Sequence, residues 1–227
     1  MEKPADREIL KKAFLERMEG EIPNKLFILH DDGVYRHLRL AKAIDSLMEG
    51  FDLITFPGAL VFTGDYGDYT WKRIEDMAYF FSGENTDFKT RTPDFSYWAE
   101  KLVAEGMYAS RKTRQFDDEG VRKEILARYV EYCDEHPEMS DAKKIAIWER
   151  LDNEVLQPSD YSSSEACEFE MRNRLYDYSE NDRRGAPAIL HNTYDWGMHC
   201  LTDNYIWACY CVAWGLEQYH KQKKEVK

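Results

Sequence analysis

Residues 51–72 of the sequence, FDLITFPGALVFTGDYGDYTWK, contain the signals that decide the fold. Phe51–Phe56 and Ala59–Gly64 are two runs rich in strand-forming residues, and the Pro-Gly pair between them suits a tight turn, because proline fixes one φ and glycine accepts the next. A second turn, Asp65–Asp68, leads to a further short strand, Tyr69–Lys72. This stretch therefore predicts three antiparallel strands in sequence.

Two more strands are predicted before this stretch, at Leu26–His30 and Val34–Leu40. The Asp-Asp-Gly segment between them supplies the positive φ that a hairpin turn needs. Alternation along the second strand places Val34, Arg36, Leu38 and Leu40 on one face and Tyr35, His37 and Arg39 on the other. We therefore predict an antiparallel meander of four or five strands with one apolar face and one aromatic-basic face.

Helical periodicity flanks the meander on both sides. The segment from Ile9 to Met18 is amphipathic and ends at Gly20, and the apolar positions from Ile74 to Phe81 predict a helix that covers the sheet. Beyond residue 94 the periodicity is helical only. The helices predicted there are Phe95–Glu105, Val121–Glu135, Asp141–Leu156, Ser163–Tyr178 and Asn204–Lys221.

Strands first and helices afterwards predict an α+β fold: an N-terminal helix, a meander covered by a helix, and a helical C-terminal half. We predict that residues 1–93 form the antiparallel sheet with its helices. We predict that residues 94–227 form a helical region packed on the sheet region. The alternative is one single domain that contains both regions.

The chain carries 43 acidic and 31 basic side chains, a formal net charge of −12. This excess argues against direct binding to a nucleic-acid backbone or to an anionic membrane. The longest apolar run, Tyr205–Leu216, is too short to span a bilayer, and the amino end lacks the features of a targeting signal. A cytoplasmic protein is the expectation.

The negative charge is concentrated in one segment, since residues 131–182 contain 15 acidic and 5 basic side chains. Carboxylates spaced along helix surfaces present the sign of charge that a DNA-binding protein expects. The predicted partner-binding residues are Glu131, Asp134, Glu135, Glu138, Asp141, Glu149 and Asp152. A solvated acidic face that serves only solubility is the alternative.

A second candidate site lies on the meander. Basic and aromatic side chains of one strand, with aspartates of a later turn, could bind a nucleotide or another small anion through stacking and charge-assisted hydrogen bonds. The candidate ligand-binding residues are Arg36, His37, Arg39, Asp65 and Asp68. If the turns around Asp31 and Asp65 converged, their carboxylates could hold a divalent metal. An ordinary solvated sheet face is the alternative.

The sequence contains no motif that assigns catalytic residues. Patterns of the nucleophile-elbow, zinc-protease and phosphate-loop types are absent from it, so an enzyme is the less favoured class. The five cysteines are scattered, and Cys209 and Cys211 diverge by about 200° on a helix, which disfavours a shared metal ion. We predict no cofactor and no metal.

Several blocks of the sequence resemble a family of uncharacterised proteins of tailed bacteriophages and prophages. Members carry an Arg-His-Leu-Arg block, an aspartate-led strand that ends in Trp-Pro-Gly, a Gly-Asp-Met-Gly turn and an Asp-Met-Phe helix. The matching blocks here are Arg36–Arg39, Phe51–Gly58, Gly64–Trp71 and Asp76–Phe81. Phe56 and Tyr66 replace the usual Trp and Met, and the resemblance covers residues 34–102 well and the last helix loosely.

The resemblance implies an origin more than an activity, and it transfers no catalytic residues. It implies that the expected cytoplasm is that of an infected bacterial host. Acidic accessory proteins of phages that lack catalytic signatures often bind a host protein, frequently one of a defence system. We therefore expect a phage protein that binds and inhibits a host nucleic-acid-handling or defence complex, of the anti-CRISPR or anti-restriction type, through a nucleic-acid-mimicking acidic surface. The alternatives are a nucleotide-binding or metal-dependent nucleotide-processing protein that uses the sheet face, and a virion or assembly component.

Overall fold

The computed structural model of the chain describes residues 4–20, 24–46, 50–82, 88, 92–107, 112–157, 164–181 and 197–225. It confirms the predicted α+β fold. The helices are α1 (Pro4–Met18), α2 (Met77–Ser82), α3 (Phe95–Glu100), α4 (Asp118–Glu135), α5 (Asp141–Glu154), α6 (Ser164–Asn181) and α7 (Asp203–Glu225). The strands are β1 (Lys25–Asp32), β2 (Tyr35–Ala41), β3 (Phe51–Phe56), β4 (Ala59–Gly64), β5 (Gly67–Lys72), β6 (Leu102–Glu105), β7 (Arg114–Phe116) and β8 (His199–Leu201).

The chain divides into two compact units. The sheet unit comprises the residues up to Arg114 and those from Leu201 onward, and the helical unit comprises Gln115–Cys200. This division differs from the predicted boundary at residue 93, because α7, the last helix of the chain, contributes to the hydrophobic core of the sheet unit. Strands β7 and β8 pair with each other in a separate two-stranded sheet.

The large sheet is an antiparallel meander of six strands in chain order, from β1 to β6. The predicted helix Phe95–Glu105 is wrong in its second half, because α3 ends at Glu100 and β6 follows. Thr70 of β5 is opposite Ala104 of β6. The backbone groups on the free edge of β5 accept this extra strand, which satisfies hydrogen bonds that would otherwise be left unpaired.

Glycines at the tight turns have the left-handed backbone that the sequence predicts. Gly58 has a φ of 81° between β3 and β4, and Gly67 has a φ of 122° where β5 begins. A Cβ atom on Gly67 would lie 2.9 Å from the ring of Tyr69, so this position also requires the absence of a side chain. The turn between β4 and β5 consists of Asp65 and Tyr66 alone, and β5 begins at Gly67, two residues earlier than predicted.

One face of the large sheet is covered by α2 and α7, α1 packs against α7, and the core of the unit lies there. Helix α7 comes close to the sheet at Gly215, where a Cβ atom would be 2.9 Å from Cδ1 of Leu53. The largest fully buried side chains of this core include Phe14, Phe51, Phe62, Tyr69, Trp71, Phe81, Tyr205 and Tyr210. Fully burying an apolar side chain of this size contributes about 1.5–3 kcal/mol, so these contacts dominate the stability of the sheet unit.

The helical unit has its own smaller core between α4, α5 and α6. It contains Val121, Ile125, Ile147, Leu151, Met171 and Leu175. Asp117 caps α4 by accepting a hydrogen bond from the backbone N–H of Gly120, and Ser140 caps α5 through Lys143. The spacing of Ser162 and Glu165 in the sequence also predicts a capping box at the start of α6, but Ser162 lies outside the described residues. Among the helices that the structure describes, none is both long enough and apolar enough to cross a membrane.

Candidate functional site

The predicted acidic residues lie on α4, on α5 and in the turn between them. Glu131, Asp134 and Glu135 have the i, i+3, i+4 spacing that places side chains on one helix face. All seven predicted partner-binding residues are exposed. We call this set of exposed acids the acidic platform, and it consists of Glu131, Asp134, Glu135, Glu138, Asp141, Glu149 and Asp152.

The acids of the platform differ from the other acids of the same two helices in their partners. Asp118, Glu119, Glu124 and Glu154 each form an ion pair with an arginine or lysine four residues away. Within the described parts of the chain, no ion pair involves any of the seven platform residues. The negative charge of α4 and α5 is therefore locally balanced along most of α4 and unbalanced on the platform.

Two carboxylates of the platform lie at an unfavourable place for helix stability. The last turn of α4 contains Asp134 and Glu135 and no basic residue. The carboxyl end of a helix carries partial negative charge, so an acidic side chain there is destabilising by about 0.3–1 kcal/mol. The stability of α4 therefore does not explain why these residues are acidic.

Exposed apolar side chains accompany the carboxylates. Leu126, Val130 and Asp134 follow one another at four-residue spacing along α4, and Val130 is 48% exposed. Ile145 on α5 is 57% exposed. The helices that carry the unpaired platform carboxylates thus also carry exposed apolar groups that a protein partner could cover.

The two helices that carry the platform are held together by aromatic contacts. The ring centroids of Tyr129 on α4 and Trp148 on α5 are 5.2 Å apart. The Tyr129 hydroxyl donates a hydrogen bond to the carbonyl of Lys144 at 3.0 Å, and burial together with the hydrogen bond to Cys133 raises the pKa of Tyr129 to about 12. The tyrosine stays neutral at physiological pH and fixes α4 against α5.

The candidate ligand residues on the sheet lie on different faces. The guanidinium of Arg36 lies on the covered face and makes two 2.9 Å hydrogen bonds to Asp76, while its Nε donates to the hydroxyl of Tyr219. The side chain of Arg36 is only 10% exposed. Burial opposes the charge on Asp76, but the hydrogen bonds from Arg36 outweigh it and hold the pKa of Asp76 below its usual value. Arg36 therefore stabilises the fold and does not face a ligand.

His37 and Arg39 lie on the open face, where both bind Asp52. Nε2 of His37 is 3.0 Å from one carboxylate oxygen of Asp52, and Arg39 donates to the other at 2.7 Å. Arg39 also donates to the carbonyls of Ile44 and Ser46, which fixes the segment that follows β2. The strand register continues this row of residues from Asp52 to Thr63, whose hydroxyl donates to Asp68 at 2.6 Å.

Asp65 and Asp68 are far from Asp31 in the meander. Successive hairpin turns alternate between the two ends of an antiparallel sheet, so the β1–β2 turn and the β4–β5 turn lie at opposite ends. Their carboxylates do not form one site. Among the described residues, no group of three or more histidine, cysteine or acidic side chains could hold a metal ion.

The structure thus brings His37, Arg39 and Asp68 onto one face, next to residues that sequence reasoning missed. These are Leu29, Ile44, Asp45, Asp52, Ile54 and Thr63, which with His37 and Arg39 line a shallow depression of about 450 Å³. The alternation within β3 was the available signal, since it places Asp52 and Ile54 on the face opposite to Phe51 and Leu53. We call this feature the sheet depression.

Comparison with known proteins does not identify the chain. No family model, curated protein or solved structure matches it.

Proposed function

We propose that the chain is a non-enzymatic phage accessory protein that binds and inhibits a host nucleic-acid-handling or defence complex, of the CRISPR-effector or restriction type. The acidic platform is the proposed contact surface. The phage origin rests on the resemblance of residues 34–102, and the binding mode rests on the geometry of α4 and α5.

The observation that carries this proposal is that the seven platform carboxylates are exposed and make no ion pair among the described residues. Asp134 and Glu135 are also placed where they oppose the dipole of α4. Residues kept at a cost to stability are typical of functional surfaces, where activity and stability conflict. A purely solubilising role would be served equally well by acids elsewhere on these helices.

The partner that fits the platform is a basic surface that ordinarily binds phosphates. Clustered lysines and arginines on such a surface would pair with the carboxylates, and the platform would then exclude nucleic acid by occupying its place. Leu126, Val130 and Ile145 would add apolar contact, which screening by salt does not weaken. Because salt screens the attraction between the carboxylates and the basic surface, we expect the complex to form rapidly at low salt and more slowly as salt rises.

The alternative function, nucleotide binding on the sheet face, has less support from the geometry. A nucleotide site needs cationic groups that face the phosphates. The guanidinium of Arg36 is bound to Asp76, and that of Arg39 is bound to Asp52 and two backbone carbonyls. Both arginines of the candidate set are thus engaged by the protein itself.

A pull-down with matched charge variants tests the proposal. The tagged protein is incubated with lysate of a bacterial host, and captured proteins are identified by mass spectrometry. The test variant reverses four platform residues, E131K/D134K/E135K/E138K. The control variant, E8K/D32K/E75K/E225K, reverses four exposed acids of the sheet unit, and both variants change the net charge from −12 to −4 because each reversal adds two positive charges.

The proposal predicts that the wild type and the control variant capture the same nucleic-acid-handling protein and that the test variant does not. Duplex DNA added to the lysate should release that protein. Equal capture by the test variant would contradict the platform as the contact surface, and equal loss in both variants would show that only net charge matters.

A further inference from the structure

The sheet depression has features of a ligand site that are independent of the acidic platform. Its volume of about 450 Å³ is within the range of small-molecule sites, and its walls include the apolar side chains of Leu29, Ile44 and Ile54. The polar groups in it come from β2, β3, β4 and the segment that follows β2. Their hydrogen-bonding state indicates which ligand chemistry fits.

The only permanent cation that lines the depression among the described residues is Arg39, and its hydrogen bonds go to the protein. Nε donates to the Ile44 carbonyl, one terminal nitrogen to Asp52, and the other to the Ser46 carbonyl. A guanidinium held at three points in this way positions the loop and neutralises Asp52. It does not present a free edge to an anionic ligand.

The imidazole of His37 lines the depression and has one ring nitrogen that can act as an acceptor. Asp52 is ion-paired with Arg39, and an ionised carboxylate can only accept hydrogen bonds, so Nε2 of His37 is the donor in their 3.0 Å contact. The other ring nitrogen, Nδ1, then carries a lone pair in the neutral ring. Among the described residues, Nδ1 has no hydrogen-bond partner, which leaves it available to a ligand that donates.

The remaining polar groups are acceptors as well. The Thr63 hydroxyl donates its proton to Asp68, so towards a ligand its oxygen can act only as an acceptor. Asp45 is exposed and adds a carboxylate to the rim. With Asp45 and Asp52 negative and Arg39 positive, the lining has an excess of negative charge and of acceptors over donors.

We propose that the sheet depression binds a guanidinium or primary ammonium group on an apolar stem. The charged head would donate hydrogen bonds to Nδ1 of His37, to Thr63 and to the carboxylate of Asp45. The stem would lie against Leu29, Ile44 and Ile54, as the aliphatic part of such groups does on apolar surfaces. This chemistry is shared by small free amines and by arginine or lysine side chains of a peptide.

Titration of the full-length protein followed by NMR tests the site. Agmatine is the free-ligand probe, and a tripeptide with blocked ends and arginine at its centre carries the same cationic head group on a peptide. Inorganic phosphate is the anionic comparison. The expected result is saturable binding of agmatine and of the peptide, with shifts confined to the residues that line the depression, and none with phosphate. The tighter of the two cationic probes identifies the source of the natural ligand.

Two variants and a matched control separate this site from general charge attraction. Removing a charged hydrogen-bond partner by D45N should weaken agmatine binding about tenfold, and T63V should weaken it less. D32N removes another exposed aspartate, in β1, and should leave the affinity unchanged. The variant E131K/D134K/E135K/E138K should also bind agmatine normally, so failure of this site and failure of the platform are distinguishable.

The proposal would be overturned by saturable phosphate binding in the depression, by the absence of binding of either cationic probe, or by agmatine binding that D45N and D32N reduce equally.

Discussion

Three partly buried aspartates of the sheet unit and the acidic platform of the helical unit have opposite surroundings. In the sheet unit Asp31 accepts hydrogen bonds from Tyr219 and Lys223, Asp52 from Arg39, and Asp76 from Arg36. On the platform of the helical unit, the carboxylates are exposed and make no ion pair among the described residues. The paired aspartates of the sheet unit therefore hold the fold together, whereas the platform carboxylates remain available to a partner.

The largest loss of stability should come from breaking the ion pair between Arg36 and Asp76 in the sheet unit. R36M leaves Asp76 without its cation and removes the Nε contact to Tyr219 on α7. Breaking a buried pair costs 3–5 kcal/mol, and since a third of the Asp76 side chain is exposed we expect a loss of about 2–3 kcal/mol. The measurement is the free energy of unfolding from urea titration.

A matched substitution in the helical unit provides the control. R128M removes the partner of Glu124 from an exposed i,i+4 pair on α4. Such a pair contributes less than about 0.5 kcal/mol, so the unfolding free energy should barely change. Equal losses for R36M and R128M would show that the two units do not differ as described.

Acidification should weaken the sheet unit in two stages. Burial, with Arg36 and Lys224 nearby, lowers the pKa of His220 below its ordinary 6.5, so the unfolded chain takes up a proton first and stability falls as the pH drops below 6.5. Hydrogen bonds outweigh burial and lower the pKa of Asp31 and Asp76 below 3.8, so their contribution is lost only below about pH 4.

Urea titrations at pH 7, 5.5 and 3.5 measure both stages, and H220Q should remove only the first. H220Q loses the contact of Nε2 with Ser82, so its stability is compared with its own value at pH 7. If H220Q still loses stability between pH 7 and 5.5, a group other than His220 causes that loss.

The smallest effect should be a gain in stability from neutralising part of the platform. The triple variant E131Q/D134N/E135Q removes negative charge from the carboxyl end of α4, where it opposes the helix dipole. We expect the unfolding free energy to rise by up to about 1 kcal/mol, while capture of the partner is lost. A loss of stability would mean that these carboxylates serve the fold after all.

Much of the fold was predictable because its signals are local. The turn at Gly58 and the alternation along β2 depend on a few neighbouring residues, and both are found in the structure. Strand β6 was missed because its residues, Leu102–Glu105, continue the helical pattern of α3. Its strand state depends on the edge of β5, about 30 residues earlier in the chain, which no local pattern encodes.

The sites were predictable only in part, for a similar reason. Alternation placed Arg36 on the apolar face of β2, yet its partners Asp76 and Tyr219 are 40 and 183 residues away in sequence. The pairing of His37 and Arg39 with Asp52 depends on the register between β2 and β3. Exposure of the platform acids follows from helix periodicity, but the absence of partners became visible only from the positions of the neighbouring basic side chains.

The most direct test of the central claim is the rate at which the protein associates with its captured partner as salt is raised. Surface plasmon resonance at 50 and 300 mM salt compares the wild type, the platform variant E131K/D134K/E135K/E138K and the control variant E8K/D32K/E75K/E225K. We predict fast association of the wild type and of the control at low salt, a steep fall at high salt, and no binding of the platform variant. Association of the platform variant at the rate of the control would contradict the claim that the unpaired carboxylates of α4 and α5 form the contact surface.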